Sequence, residues 1–295
     1  MRDRSFHRRS YAAGLIGAGI GASLSPALHE REARRLGLES EYRLFDLEEL
    51  GRDPGDVAAI AREARDLGLA GVNVTHPCKQ VVVPELDELS PEAEALNAVN
   101  TIVFDGDRMV GHNTDTTGFQ EAFRRGLETV ALDRVVVLGA GGAGAAVAHA
   151  MLGLGAGELA IADVEAARAE ELAGALRRRF GRGRARAGDP DALRGWLPAA
   201  DGLIHATPTG MPAYPGTAVP TELLRPGLWV ADIVYVPVET RLLADARARG
   251  CRTLSGTGMV ALQAADAMEL FAGVSPDRER MLEHVAELVA APAAA

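Results

Sequence analysis

The sequence predicts an α/β protein built as two domains, and three observations carry that expectation. Short Leu/Ile/Val-rich runs alternate with helical patterns along the chain, as in βαβ units around parallel sheets. Two glycine-rich turns, one starting at Gly17 and one at Gly139, each follow an apolar run and lead into a helical stretch. With 295 residues the chain is long enough to bury two cores.

Taken in order, strands are expected at 14–16, 42–45, 71–74, 101–104, 134–138, 159–162, 202–205 and 228–233. Between them fall helices at 26–36, 57–67, 143–154 and 166–179. The first is opened by Pro26, whose fixed φ suits the first helical position. Helices near 114–125 and 260–272 are expected at the domain junction, and a final amphipathic helix at about 277–289.

Composition narrows the function classes. Hydrophobic residues make up 47% and charged residues 24%, which argues against both a membrane protein and a disordered chain. No run reaches the 18 or so apolar residues of a membrane span. The 31 basic and 41 acidic residues leave a net charge of −10, which repels phosphate backbones, so no nucleic-acid partner is expected. Cys78 and Cys251 are too few for a disulfide framework or a four-cysteine zinc site, and they suit a reducing compartment. Arg8-Arg9 ahead of the apolar stretch 11–22 resembles a twin-arginine export signal. Residues 11–16 read equally well as a buried strand, and no A-x-A-like cleavage site follows, so a cytoplasmic setting is expected. A homodimer is compatible with the sequence.

The second glycine turn carries the stronger signal. Gly139, Gly141 and Gly144 form G-x-G-x-x-G directly after three valines and open an alanine-rich helix, the fingerprint of a Rossmann dinucleotide-binding unit. Gly139, Ala140, Gly141, Gly142, Ala143 and Gly144 are therefore candidate pyrophosphate contacts, with the helix N-terminus supplying N–H groups and positive dipole. An acidic residue is needed about 20 residues on, at the end of the next strand, and Asp163 stands there. A carboxylate accepts bonds from ribose hydroxyls and repels a 2′-phosphate. Val164 and Glu165 follow it, and only Arg168 is basic nearby, so the local charge favours NAD over NADP.

The first turn, Gly17-x-Gly19-x-x-Ala22, imitates that pattern with looser spacing to Asp46. Its helix starts only after Ser23-Leu24-Ser25-Pro26, and two hydroxyls at a helix mouth suit a polyhydroxylated ligand better than a pyrophosphate. Three of the four asparagines fall in polar islands bordering strands: 73–79, 98–101 and 111–115. Such concentrations of donors and acceptors suit a sugar-like substrate at the strand ends of an open α/β sheet.

Lys79 is the only lysine; every other Lys/Arg position is arginine. Arginine serves for surface charge, but its pKa above about 12 prevents proton exchange near neutrality, so a solitary lysine marks a group whose pKa must be tunable. Lys79 and Asp115 are the only opposite-charge pair among the islands, and such a pair can hold and donate the proton that carbonyl reduction requires. A buried ion pair, with asparagines merely in turns, is the structural alternative. His76 and His112 lie in the same islands without acidic or cysteine partners at ligand spacing, so no metal is expected. Cys78 lacks a triad partner and is expected to pack behind the lysine.

Ser23-Leu24-Ser25-Pro26, Asn73-Val74-Thr75-His76-Pro77-Cys78-Lys79, Ala98-Val99-Asn100-Thr101, His112-Asn113-Thr114-Asp115, the glycine run, Asp232-Ile233-Val234-Tyr235 and Gln263-Ala264-Ala265 together resemble the shikimate/quinate dehydrogenase family, over residues 14 to about 271. The resemblance implies an N-terminal α/β substrate domain (1–116, completed by 257–295) and a Rossmann domain (117–256), with the C-terminal helices returning to the first. It implies reversible oxidation of the C3 hydroxyl of shikimate or quinate. Lys79 and Asp115 would be the catalytic pair, with Ser23, Ser25, Thr75, Asn100, Tyr235 and Gln263 as substrate contacts. Arg168, Thr207 and Gly258 complete the candidate cofactor set.

Biosynthetic members usually carry Asn-Arg-Ser/Thr where this chain has Asp163-Val164-Glu165, so the resemblance is closer to the NAD-using quinate/shikimate branch. Quinate-preferring relatives tend to have threonine at the second hydroxyl position, so Ser25 leans toward shikimate. An amino-substituted analogue is a further substrate within the family. The rivals are another NAD-linked two-domain dehydrogenase and a non-catalytic NAD-binding relative; the retained lysine weighs against the latter.

Overall fold

The computed structural model describes residues 10–290, so Arg8-Arg9 lie outside the described residues. The chain divides into two compact units. Among the described residues, one holds those up to Thr114 together with Ala264–His284, and the other holds Asp115–Gln263 and those from Val285 to 290. Asp115 is thus the first residue of the second unit, one peptide bond beyond Thr114.

The first unit is built on a six-stranded sheet of β1 (Ser10–Gly17), β2 (Glu39–Asp46), β3 (Gly71–Val74), β4 (Glu88–Leu89), β5 (Thr101–Asp105) and β6 (Arg108–His112), in the order β2-β1-β3-β5-β6-β4. The parallel pairing expected of βαβ units holds for only part of this sheet. β1, β2 and β3 are parallel, but β5 runs antiparallel to β3 and β6 antiparallel to β5. β5 and β6 form a hairpin closed by Gly106-Asp107, which needs no crossover helix. One core packs Ile16, Ile60, Val72, Val74, Cys78 and Ile102, and another packs Tyr11, Ala13, Leu15, Ala33, Tyr42 and Phe271. Phe271 comes from the Thr257–Ala272 helix, so the C-terminal part of the chain completes this unit's core.

The second unit has β7 (Arg134–Leu138), β8 (Glu158–Ala162), β9 (Ala185–Gly188), β10 (Gly202–His205), β11 (Trp229–Asp232) and β12 (Arg252–Ser255). All are parallel, in the order β12-β11-β10-β7-β8-β9, the doubly wound arrangement of a Rossmann domain. β7, β8, β10 and β11 carry the continuous apolar runs expected of strands buried on both faces. The edge strands β9 and β12 read Ala-Arg-Ala-Gly and Arg-Thr-Leu-Ser, with too little apolar character to be expected from sequence. No helix among the described residues is long and apolar enough to cross a membrane.

The turn after β7 is set by backbone approach. Gly139 has φ +106°, and a Cβ on it would lie 2.4 Å from the Ala206 carbonyl oxygen. A Cβ on Gly144 would lie 2.0 Å from the Gly139 carbonyl oxygen. Gly144→Ala is therefore expected to destabilise the protein by about 1–3 kcal/mol or more, the usual range for overpacking against atoms that cannot move aside. Urea unfolding checks this; a wild-type midpoint would show that the turn can relax.

Candidate active site

In the first unit the candidate substrate residues gather at one edge of the sheet. Thr75 follows β3 and donates its N–H to the Ile16 carbonyl at the end of β1, at 2.9 Å. Asn100 precedes β5; because β5 is antiparallel to β3, its start lies at the same edge, and the Asn100 carbonyl accepts the Val74 N–H at 2.8 Å. The loop after β1 carries Ser23 and Ser25, and its Ala18 N–H bonds the His76 carbonyl at 3.0 Å. Lys79 is half-buried in the turn after β3, where its carbonyl accepts the Val99 N–H at 2.8 Å. The edge thus brings together Ser23, Ser25, Thr75, Lys79 and Asn100.

A chain of side-chain hydrogen bonds lies beneath these residues. The Tyr42 hydroxyl, on β2, is hydrogen-bonded to Ser25 and donates to Asn73 Oδ1 at 2.8 Å. Burial pushes the Tyr42 hydroxyl far above its ordinary pKa, so it remains a donor at any working pH. Asn73 Nδ2 donates to Thr101 Oγ1 at 3.0 Å, and Thr101 Oγ1 donates to Asn100 Oδ1 at 3.0 Å. Asn100 Oδ1 also accepts the Thr114 N–H at 2.8 Å, while its Nδ2 donates to Thr114 Oγ1 at 3.0 Å. The next residue is Asp115.

Asp46 pins the loop after β1. Its Oδ1 accepts the Gly19 N–H at 3.0 Å and the Glu48 N–H at 3.1 Å, and its Oδ2 accepts the Ile20 N–H at 2.7 Å. The acid that imitated a ribose ligand is therefore committed to its own loop. Cys78 is buried in the core beneath the lysine turn, and burial pushes its thiol up to about 11, which leaves it inert. Burial lowers the pKa of His112, with Glu92 and Glu88 opposing. Among the described residues no three His, Cys, Asp or Glu side chains gather as a metal site.

In the second unit, Asp115 is buried in the first turn of the Thr114–Gly126 helix. A Cβ on Gly118, one turn further, would lie 2.6 Å from the Gln263 backbone nitrogen. This glycine lets the Thr257–Ala272 helix approach at backbone contact, which sets Gln263 one helical turn from Asp115. Gly258 opens the same helix, where its missing Cβ would meet Ala122 at 3.1 Å. Tyr235 is half-buried after β11, and burial raises its pKa.

The dinucleotide turn shows a division of labour. Gly139 and Gly144 are required by packing, but a Cβ on Gly141 would meet nothing within 4 Å. That open side is where a pyrophosphate can approach the backbone. The Gly142–Gly153 helix begins there, and the N–H groups of Gly142, Ala143 and Gly144 occupy its first turn, ahead of any intrahelical carbonyl. Asp163, at the end of β8, accepts the Ala140 N–H at 2.7 Å and the Glu165 N–H at 2.9 Å. Two of its roughly four lone-pair sites stay available for hydroxyls. Val164 beside it is 85% exposed. Arg168 is exposed and paired with Glu165 at 2.9 Å. Thr207, after β10, stands on the opposite side of β7 from Asp163, with its Cγ2 3.0 Å from where a Gly139 Cβ would be.

Sequence reasoning missed Tyr42, the loop-pinning role of Asp46, and His205 with Thr240. The one available signal was the spacing of Asp46 from the first glycine turn.

A mixed sheet with hydroxyl and amide side chains gathered at its strand ends, and a doubly wound Rossmann unit with an open glycine turn, are the two parts that the comparisons must account for. A family model described as the shikimate dehydrogenase substrate binding domain matches residues 15–102. A shikimate dehydrogenase (NADP(+)) of Streptomyces avermitilis is 61% identical over 279 residues, covering 95% of this chain and 96% of that protein. A quinate/shikimate dehydrogenase (NAD(+)) of Corynebacterium efficiens is 46% identical over 269 residues, covering 91% and 95%. The solved structure of quinate dehydrogenase from Corynebacterium glutamicum in complex with NAD superposes with a TM-score of 0.89 at 43% identity, covering 94% and 99%. The chain belongs to the shikimate dehydrogenase family.

The Asp46 loop has a measurable pH signature. Burial works against ionisation of this carboxyl, but the N–H groups of Ile20, Gly19 and Glu48 outweigh it and hold the pKa below the ordinary range. A folded pKa below the unfolded one contributes stability above the ordinary carboxylate range and loses it as pH falls through the folded value. Wild-type urea midpoints should therefore fall more steeply below about pH 4 than those of Asp46→Asn. Parallel acid limbs would remove the carboxylate from this role.

Proposed function

We propose that this chain is an NAD-preferring dehydrogenase that reversibly oxidises the C3 hydroxyl of shikimate or quinate. The carrying observation is the strand-edge cluster of hydroxyls, amides and the sole lysine, in a family whose curated relatives are named for these acids. Ser23, Ser25, Thr75 and Asn100 offer hydroxyl and amide partners on the first unit; Tyr235 and Gln263 offer theirs on the second. The open side of Gly141, the helix N-terminus and the Asp163 carboxylate fit a dinucleotide. Bound there, the nicotinamide supplies the hydride acceptor.

The chain's own residues handle the proton. In the oxidative direction Lys79 Nζ takes the proton of the reacting hydroxyl, and in the reductive direction it returns it. Asp115 orients the ammonium. The backbone supports that pairing: the Lys79 carbonyl holds Val99, and Asn100, next in sequence, holds Thr114, the residue before Asp115. The reading carries a small-molecule substrate and a cytoplasmic setting, the latter resting on the two free, buried cysteines.

NAD preference rests on Asp163 and Val164, against an NADP-named relative at 61% identity. A carboxylate repels a 2′-phosphate, and an exposed valine stands where a guanidinium would be needed to bind one. Absorbance at 340 nm should show a much higher kcat/KM for NAD than for NADP. Asp163→Ser combined with Val164→Arg should narrow or reverse that gap; a wild-type preference for NADP would overturn the assignment.

Lys79→Arg keeps the charge and could still pair with Asp115, but a guanidinium holds its protons too tightly for exchange. Loss of a positioned acid/base removes about 10²–10⁴ in rate. At least a hundredfold fall in kcat is expected, with melting temperature and NAD affinity nearly unchanged. A folded variant with near-normal kcat would return Lys79 to a structural role.

A further inference from the structure

A buried polar relay at the ends of β10 and β11 joins Asp232 and Thr207 through His205, a residue given no role so far. His205 and Asp232 are each 1% exposed. Asp232 Oδ2 accepts the Thr240 hydroxyl at 2.6 Å, and Oδ1 accepts the Val234 N–H at 3.1 Å. His205 Nδ1 lies 2.9 Å from Asp232 Oδ1, and His205 Nε2 lies 2.5 Å from Thr207 Oγ1. Thr207 Oγ1 also accepts the Thr209 N–H at 3.3 Å.

The proton positions follow from the partners. A carboxylate oxygen accepts, so Nδ1 of His205 carries the hydrogen, and a ring bearing that one hydrogen offers Nε2 as an acceptor. The single Thr207 hydroxyl proton must then point at Nε2. What Thr207 has left for a ligand is a lone pair, so it serves as an acceptor. The β8 side of β7 carries Asp163, suited to the adenosine ribose, so the β10 side is left to the nicotinamide half of a dinucleotide lying across β7. The nicotinamide carboxamide presents an NH₂ donor, the complement of that lone pair.

We propose that His205, held by Asp232, is a positioning residue that fixes the Thr207 hydroxyl as an acceptor for the nicotinamide carboxamide. The inference rests on the dinucleotide reading above and adds a residue that acts through Thr207. Without the relay the hydroxyl rotates, and the ring loses a preset orientation.

His205→Asn separates this role from a structural one. The asparagine Nδ2 can still donate to Asp232, which keeps the buried carboxylate satisfied, but it cannot reach Thr207. The readout is the preference for NAD over 3-acetylpyridine adenine dinucleotide, whose ketone lacks the NH₂ donor. It is taken as the change in that ratio from wild type, so the analogue's different redox chemistry cancels. Loss of one such bond predicts a decline in preference of about three- to tenfold in both His205→Asn and Thr207→Val. The double variant should decline no further than Thr207→Val alone, because the two act as one unit. Melting temperature should stay near wild type for His205→Asn; if it does not, His205→Leu, which bonds neither partner, provides the same ratio from its folded fraction.

A wild-type ratio in His205→Asn beside a shifted ratio in Thr207→Val overturns the relay while leaving Thr207 at the cofactor. A wild-type ratio in both variants overturns the relay and the placement of Thr207 together. Dissociation constants for the two dinucleotides give the same ratios without turnover. Wild-type oxidation of shikimate or quinate with NAD tests the function separately.

Discussion

Four buried side-chain acceptors beside strand ends, two in each unit, find their donors in the adjoining loops. An unpaired buried polar group costs about 1–3 kcal/mol, so each such side chain dictates the path of the backbone beside it. Asp46 gathers Gly19, Ile20 and Glu48; Asn100 holds Thr114; Asp163 holds Ala140 and Glu165; Asp232 holds Val234 and Thr240. The loop after β1, the start of the Asp115 helix, the turn after β7 and the stretch leading to Tyr235 are each tied to one of these four residues. The sheets supply the platform, and these bonds determine how the chain leaves it.

The two glycine turns show how one device is put to different uses. In the first unit, three N–H groups occupy the Asp46 carboxylate, and the helix starts at Ser25, several residues beyond the glycines. In the second, the helix starts within the glycine run at Gly142, and Asp163 accepts only two N–H groups. The first arrangement spends its acid on holding a loop that displays serines. The second leaves a helix terminus and unused lone pairs facing outward.

The architecture was largely legible because strands buried on both faces, such as Val135–Leu138 within β7, carry continuous apolar runs, and because the glycine fingerprint is local. The β5–β6 hairpin was less legible: β6 reads Arg-Met-Val-Gly-His, with His112 already counted among polar islands. The candidate residues that lie in loops were legible through their motifs. Tyr42 and His205 were not, because each sits inside a strand and finds its partner far away in sequence, at Asn73 and Asp232. Long-range hydrogen bonding leaves no periodic trace, and a tyrosine or histidine in an apolar run reads as core.

The solitary lysine also has a practical side. Lys79 stands half-buried in the turn after β3, while every other Lys/Arg position carries a guanidinium. Acyl esters, aldehydes and isothiocyanates seek primary amines, so apart from the chain terminus they have a single side chain to modify. Labelling, cross-linking or resin attachment through lysine would all converge on the candidate site. One mass adduct, read with and without a bound ligand, becomes a direct gauge of how open that site is. A lysine-specific protease likewise has one bond to cut, immediately after Lys79, which would part β1, β2 and β3 from β4, β5 and β6 of the same sheet.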